Sequence, residues 1–255
     1  MTLRADFDAA LMNDPVRSLA KLEQDGTVRA YLPEVQQIVG FGGGDEGHKD
    51  LWGHTRKVVS QCVPKVLVRW AALYHDVGKP DRFHRDKAGV VSFHGHEVHS
   101  AHLFRQMACR TKLFSEDEVS WIWFLVRYLG HVEEYDSTWT DSAVRRLHKE
   151  VGSRLEDVVA LARADITTKH ADRRAAHHAR MHELRERAWE LAAADAAPPA
   201  LVTGLGHLLS KEFNVSGRGL GNLMGRAREA VEAGKLERQA SPERVIEFLN
   251  LVRAK

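Results

Sequence analysis

Only two cysteines occur in the chain, Cys62 and Cys109, far apart in sequence. They exclude a four-cysteine zinc site and a disulfide framework, and they suit the reduced, packed thiols of a cytoplasmic protein. Charge of one sign is also missing. The formal net charge is +2, so average composition does not mark a nucleic-acid binder, although a local basic patch stays open. No apolar run approaches the roughly 20 residues that a membrane helix needs, so no membrane partner is expected. The opening MTLRADFDAALM lacks the charged-then-apolar pattern of a signal peptide. Strand-length alternation of period two is nearly absent, with VVSF (90–93) as one short candidate. No internal repeat or long low-complexity tract is visible. The chain holds 255 residues, 44% of them hydrophobic and 28% charged, enough for one sizeable core with a small appendage.

What remains is helical pattern and an excess of histidine. In WAALYHDVGKP, Trp70, Leu73, Tyr74 and Val77 recur at helical spacing, and Gly78 and Pro80 then end the helix. EDEVSWIWFLVRY is apolar nearly all round, as in a buried helix. DSAVRRLHKEV reads as another helix, and residues 155–194 as a long amphipathic one. Glycine, proline and asparagine gather at 41–47, 197–206 and 214–219, which read as loops or linkers. The expected fold is all-α: a helical lead-in over 1–40, a main helical bundle over 41–196 and a small helical tail over 197–255.

There are 15 histidines, and about half lie between His48 and His102. His177, His178 and His182 fit the surface of a polar helix. Others neighbour apolar runs and aspartates. His75 and Asp76 are adjacent and lie off the apolar stripe of their helix, and Lys79 follows about one turn later. That helix end offers an imidazole and a carboxylate for a borderline divalent ion such as Mn, Fe, Co, Ni or Zn. It also offers an ammonium for a phosphate oxygen. Alone, the dipeptide reads more simply as a surface pair beside a solvated lysine. Context changes that. His54 lies in DLWGHTRKVVS, with Leu51, Thr55, Val58 and Val59 facing inward. Asp165 lies in LEDVVALARADITTK among Val158, Leu161 and Ala162, where a carboxylate needs a partner. Each group comes from a separate helix, as in metal sites built inside bundles.

The order His54, His75-Asp76, Asp165 resembles the H…HD…D signature of the HD phosphohydrolase superfamily. HKDLWGHTRKVV, RWAALYHDVGKP, VSFHGHEVHSA, WTDSAVRRL and ARADITTK further resemble the C-terminal half of bacterial tRNA nucleotidyltransferases (CCA-adding enzymes). The lead-in NDPVRSLAKLEQDGTVRAYLPEV and the tail GRGLGNLMGRAREAVEAGKLE resemble that family's neck and C-terminal end. The family's nucleotidyltransferase head would lie before residue 1. Its Gly-Gly turn and paired aspartates are not found at FGGGDE (41–46), and DRR (172–174) does not match its nucleotide-reading motif. CCA addition is therefore not expected of these residues. GRGLG (217–221) follows no strand and reads as a turn opening a helix rather than a dinucleotide fingerprint.

The resemblance implies a divalent transition metal held by His54, His75, Asp76 and Asp165, and one or two ions in all. Between HD and the last aspartate stand His94, His96, His99 and His102. His96 matches the family's GHE position, where a second ion or a catalytic histidine is expected, and the other three suit a polar helix surface. Relatives carry a further histidine where this chain has Leu129. His131 could replace it only if Gly130 breaks the helix. Lys79 is the leading phosphate contact. Thr168 and Lys169, on the helical face of Asp165, and Arg145 are further candidates, although Arg145 could equally pair with Asp141. Related HD modules hydrolyse 2′,3′-cyclic phosphates and 2′- or 3′-phosphates of nucleotides and RNA ends. The expected partners are thus a nucleotide or RNA 3′-end phosphate, tRNA or other RNA, and an RNA-repair kinase or ligase. The rivals are a 5′-nucleotidase or metabolite phosphatase, and a non-catalytic RNA-binding module.

Overall fold

A computed structural model describes residues 3–42, 50–196 and 200–253. The glycine-rich stretch at 41–47 falls largely outside the described residues, as does the start of the 197–206 loop. The chain forms two compact units, residues 1–190 and 191–255. The all-α expectation holds: among the described residues only two short strands interrupt the helices. No described helix is long and apolar enough to cross a membrane.

Helices α1 (Leu3–Met12), α2 (Pro15–Gln24), α3 (Thr27–Tyr31) and α4 (Pro33–Gln36) make up the lead-in. It belongs to the first unit rather than standing apart. Trp70 donates its indole N–H to Asp8 at 2.6 Å, and the buried Arg69 guanidinium donates to the carbonyls of Leu11 at 2.7 Å and Cys62 at 3.0 Å. These bonds fasten α1 to α6 (Val66–Tyr74), which follows α5 (Leu51–Gln61). The periodicity of α6 predicts one buried face, but Val68 through Tyr74 are all buried, because neighbours cover the helix on every side.

Strands β1 (His84–Arg85) and β2 (Val91–Ser92) pair antiparallel, with His84 opposite Ser92. β2 lies in the predicted VVSF stretch. Then come α7 (His96–Thr111), α8 (Glu116–Glu133), α9 (Asp141–Val151), α10 (Leu155–Asp165) and α11 (Ala171–Ala196). α8 opens on a reciprocal capping box between Ser115 and Glu118. It buries Ile122, Phe124, Leu125, Val126, Leu129 and Val132, and packs on α6, α7 and α10. The single long helix read over 155–194 is two helices. α10 stops at Asp165 because Ile166 turns extended, at φ −72° and ψ 104°. The β-branched run Ile166–Thr167–Thr168 disfavours helix at that point.

The second unit contains α12 (Leu205–Phe213), α13 (Gly217–Glu232) and α14 (Pro242–Arg253). Leu205, Leu209, Leu223, Ala227, Val245 and Leu249 form its own apolar cluster. GRGLG does open a helix, and its first glycine adopts a φ of +51°.

Candidate metal centre

His54 sits in the first turns of α5, whose N-cap is Asp50. Its Nδ1 lies 3.0 Å from the hydroxyl of Thr167, which leaves Nε2 facing inward. His75 and Asp76 do not lie within α6. They occupy the turn just past its end, and both are about 1% exposed, so the core encloses them although helical periodicity left them out. His75 Nδ1 is 2.7 Å from the carbonyl of Ala72. A carbonyl can only accept, so Nδ1 carries the proton and Nε2 presents a lone pair in the neutral ring. Asp165 is the last residue of α10.

These residues from three parts of the chain converge. His54 Nε2 and His75 Nε2 are 3.4 Å apart. Asp165 Oδ1 lies 3.0 Å from the first and 3.2 Å from the second, and Asp76 Oδ2 lies 3.5 Å and 3.3 Å from them. Despite these short separations, buried Asp165 Oδ1 has no partner with hydrogen-bond geometry. The atoms are aimed at a common point rather than at one another. Tetrahedral ligation with bonds of about 2.1 Å sets ligand atoms about 3.4 Å apart. His54, His75 and Asp165 therefore fit a borderline divalent ion in spacing, in the lone pair His75 offers and in chemistry, and Asp76 adds a carboxylate oxygen within 3.5 Å of both histidines.

The electrostatics agree. Burial opposes a charge on His75, but Asp76 and Asp165 outweigh it and hold the imidazole well above its ordinary value. Burial alone would raise Asp76, yet His75 and Lys79 hold it well below the carboxylate range. Asp165 is depressed too, against its own burial, chiefly by His75 and His54. The centre draws positive charge to itself.

Lys79 Nζ is 2.7 Å from Asp76 Oδ2, so the predicted phosphate contact stands at the centre, anchored on a candidate ligand. His96, the first residue of α7, turns Nδ1 toward the carbonyl of Phe93 at 3.0 Å and sets Nε2 3.3 Å from Asp76 Oδ1. Asp76 thus faces the His54–His75 pair with one oxygen and His96 with the other. Gly78 makes this possible. A Cβ there would lie 2.8 Å from both the His96 carbonyl oxygen and the Ser100 nitrogen, while the Gly78 N–H donates to Ser100 Oγ at 2.9 Å.

Other expected residues are not brought in. Gly130 does not break α8, and His131 is exposed, packing edge-on to Tyr128 in a separate cavity with Trp139 and Arg146. Leu129 is buried core. Because α10 ends at Asp165, Thr168 and Lys169 do not share a helical face with it. Thr168 Oγ1 accepts from the His170 N–H at 3.3 Å, and Lys169 is exposed. Arg145 lies on α9 and does not line the cavity at Asp165, while Asp141 pairs with Arg187 at 2.7 Å. His99 pairs with Asp81 at 2.8 Å, and His94 and His102 are exposed.

Four residues escape a reading by pattern. Glu133 closes α8 one turn after Leu129 and stands beside Asp165. Burial and that neighbouring carboxylate hold its own carboxyl well above the ordinary range. Its spacing from Leu129 was the available signal. Thr167, not Thr168, meets His54. His177 is buried, not a surface residue, and donates to the carbonyl of Ala162 at 2.9 Å. Burial lowers its proton affinity, consistent with a neutral ring. Arg180, beside His177 at 3.4 Å, joins Glu133 and Asp165 around a cavity of about 280 Å³.

The HD domain family matches residues 63–197, which include His75, Asp76, His96 and Asp165, with His54 just before them. The chain belongs to the HD-domain family, whose members are metal-dependent phosphohydrolases. It is also similar to the A-adding tRNA nucleotidyltransferase of Deinococcus radiodurans, with 32% identity over 79% of this chain and 48% of the relative. The CC-adding tRNA nucleotidyltransferase of Thermus thermophilus is 31% identical over 62% of this chain and 37% of its own length. The Multifunctional CCA protein of Azoarcus sp. is 33% identical over 42% and 27%. The chain spans about half or less of the length of these relatives.

Proposed function

We propose that this chain is a divalent-metal-dependent phosphoesterase acting on 2′,3′-cyclic phosphates and 2′- or 3′-phosphomonoesters of ribonucleotides or RNA ends. The observation that carries the catalytic reading is the convergence of His54, His75 and Asp165 at 3.0–3.4 Å, with Asp165 Oδ1 unsatisfied and Asp76 Oδ2 3.3–3.5 Å from the two histidines. These four residues would hold the ion. When bound, such an ion supplies Lewis acidity and lowers the pKa of a coordinated water. The chain's own groups do the rest. Lys79 neutralises charge on the phosphoryl oxygens, and Arg180, which lines the cavity at Asp165, offers a fork of donors. His96 gives a proton to the departing alkoxide, a role worth typically ~10²- to 10⁴-fold. Thr167 and Glu133 orient His54 and Asp165. The relatives' named action on tRNA supports RNA as the substrate class. A cytoplasmic setting and a repair kinase or ligase as partner chain are part of the proposal.

The test is a side-by-side hydrolysis screen with added Mn, Ni, Co, Fe or Zn, reading ring opening of the cyclic ester by product analysis and phosphate release from the monoesters. Rates on 2′,3′-cyclic AMP and on RNA 3′-phosphate ends should exceed that on 5′-AMP by at least about tenfold, equivalent to about 1.4 kcal/mol in the barrier. The reverse ranking would assign a 5′-nucleotidase. Bound metal with no hydrolysis of any phosphoester would assign a binding module.

A further inference from the structure

A second cavity shares a wall with the centre. It encloses about 360 Å³ between α10, α11 and the end of α5, within the range of roughly 300–1,000 Å³ for small-ligand sites. Ile166 lines both this cavity and the one at Asp165, so the two lie on either side of a single residue next to a candidate ligand. Its floor is apolar, including Val63 and Ile166, and its polar wall carries Arg163, Arg174 and His178. No carboxylate lines it.

The two arginines differ in what holds them. Arg174 is positioned: Nη1 donates to the Thr168 carbonyl at 3.1 Å, which leaves the other face of its fork available. The Arg163 guanidinium has no hydrogen bond or ion pair among the described residues. Two like charges around one concavity with no acid between them repel unless an anion joins them. The frame beneath is held by side-chain caps. α10 ends with orphaned carbonyls, and His178 caps that of Arg163 at 3.0 Å while Gln61 caps that of Ala164 at 2.7 Å.

We propose that this cavity is a nucleotide subsite for RNA. Arg163 and Arg174 pair with a backbone phosphate, and the apolar floor takes the base of the nucleotide next to the one bearing the terminal phosphate. The inference rests on the phosphoesterase reading and deepens it: the subsite makes the enzyme selective for RNA ends over mononucleotides.

Binding and turnover test it separately. The binding probe is a fluorescent pentaribonucleotide ending in a 3′-phosphate, titrated in chelator so that nothing turns over. Arg163→Ala/Arg174→Ala should raise its Kd at least about tenfold and flatten the salt dependence by up to ~0.7 per lost phosphate contact. The Lys/Lys variant should recover part of the affinity. In the turnover arm, the Ala/Ala variant should lose about tenfold in kcat/KM on the oligonucleotide while kcat/KM on 3′-AMP stays at the wild-type value. Both arginines are exposed, and an unchanged thermal midpoint verifies folding. Equal Kd values for wild type and variant overturn the subsite, as does an equal loss on the mononucleotide. Equal loss of affinity for a polyglutamate peptide would reduce the pair to an unspecific anion patch. If wild type hydrolyses no phosphoester, the phosphoesterase reading fails, and the binding titration still decides whether the RNA subsite exists.

Discussion

Two helices end at the centre, and they end differently. α6 stops at Tyr74 and hands His75 and Asp76 to a turn sealed against α7, where the backbone of Gly78 touches that of His96 and Ser100. α10 stops on Asp165 itself, and its last carbonyls are capped by side chains: His177 on Ala162, His178 on Arg163 and Gln61 on Ala164. The first end is locked by close backbone approach, which tolerates no added atom. The second is held by three replaceable hydrogen bonds and borders both cavities that a substrate could enter. A metal centre that must also admit a substrate gains from this asymmetry, with a rigid wall on one side and an adjustable wall on the other.

The largest effects should come from the sealed end. Asp76→Ala should abolish both metal content and metal-dependent phosphate release, because both its oxygens face the histidines. Lys79→Ala should keep the metal and lose about 10²- to 10³-fold in turnover, the usual cost of one donor to a developing charge. Metal analysis beside steady-state rates separates the two. If Lys79→Ala loses its metal in step with its rate, the ammonium is holding Asp76 in place rather than meeting phosphate.

A matched pair sharpens the contrast itself. Gly78→Ala should destabilise the fold by about 1–3 kcal/mol, since backbone atoms of α7 must move to admit the methyl. Gln61→Ala should cost about 0.5–1.5 kcal/mol, the net worth of one hydrogen bond. Chemical denaturation of both variants checks the order. Equal losses would mean that the two ends are held alike. The smallest effect belongs to His131→Ala, which should leave metal content and rate at the wild-type level. A drop in either would bring His131 into the site from its separate cavity.

The residues that sequence alone could pick out were those whose type and order are unusual. His54, His75, Asp76 and Asp165 stand out because buried helices rarely carry imidazoles and carboxylates, and Lys79 and His96 because they flank them. Those missed or misplaced depended on where a helix stops or what covers it. Thr168 and Lys169 align with Asp165 only if the helix runs four residues further than α10 does. His177 looks solvated because its own helix is polar, but it is buried and bonds the Ala162 carbonyl of α10. Glu133 does not stand out in this way, because the family resemblance points to a histidine at position 129, whereas one turn further on a carboxylate stands beside Asp165.

By itself the sequence determined that the chain is helical, that its apolar faces require a core, and that four side chains of metal-ligating type occur in HD order. Those follow from local spacing and residue chemistry, which need no knowledge of neighbours. Only the tertiary structure decided that both aspartates come within 3.5 Å of His54 and His75, that Asp76 divides its oxygens between His96 and the other two histidines, and that a basic cavity opens beside Asp165. The reason is physical. Distances between side chains on different helices are set by how those helices pack and where they end, and periodicity within one helix carries no information about either.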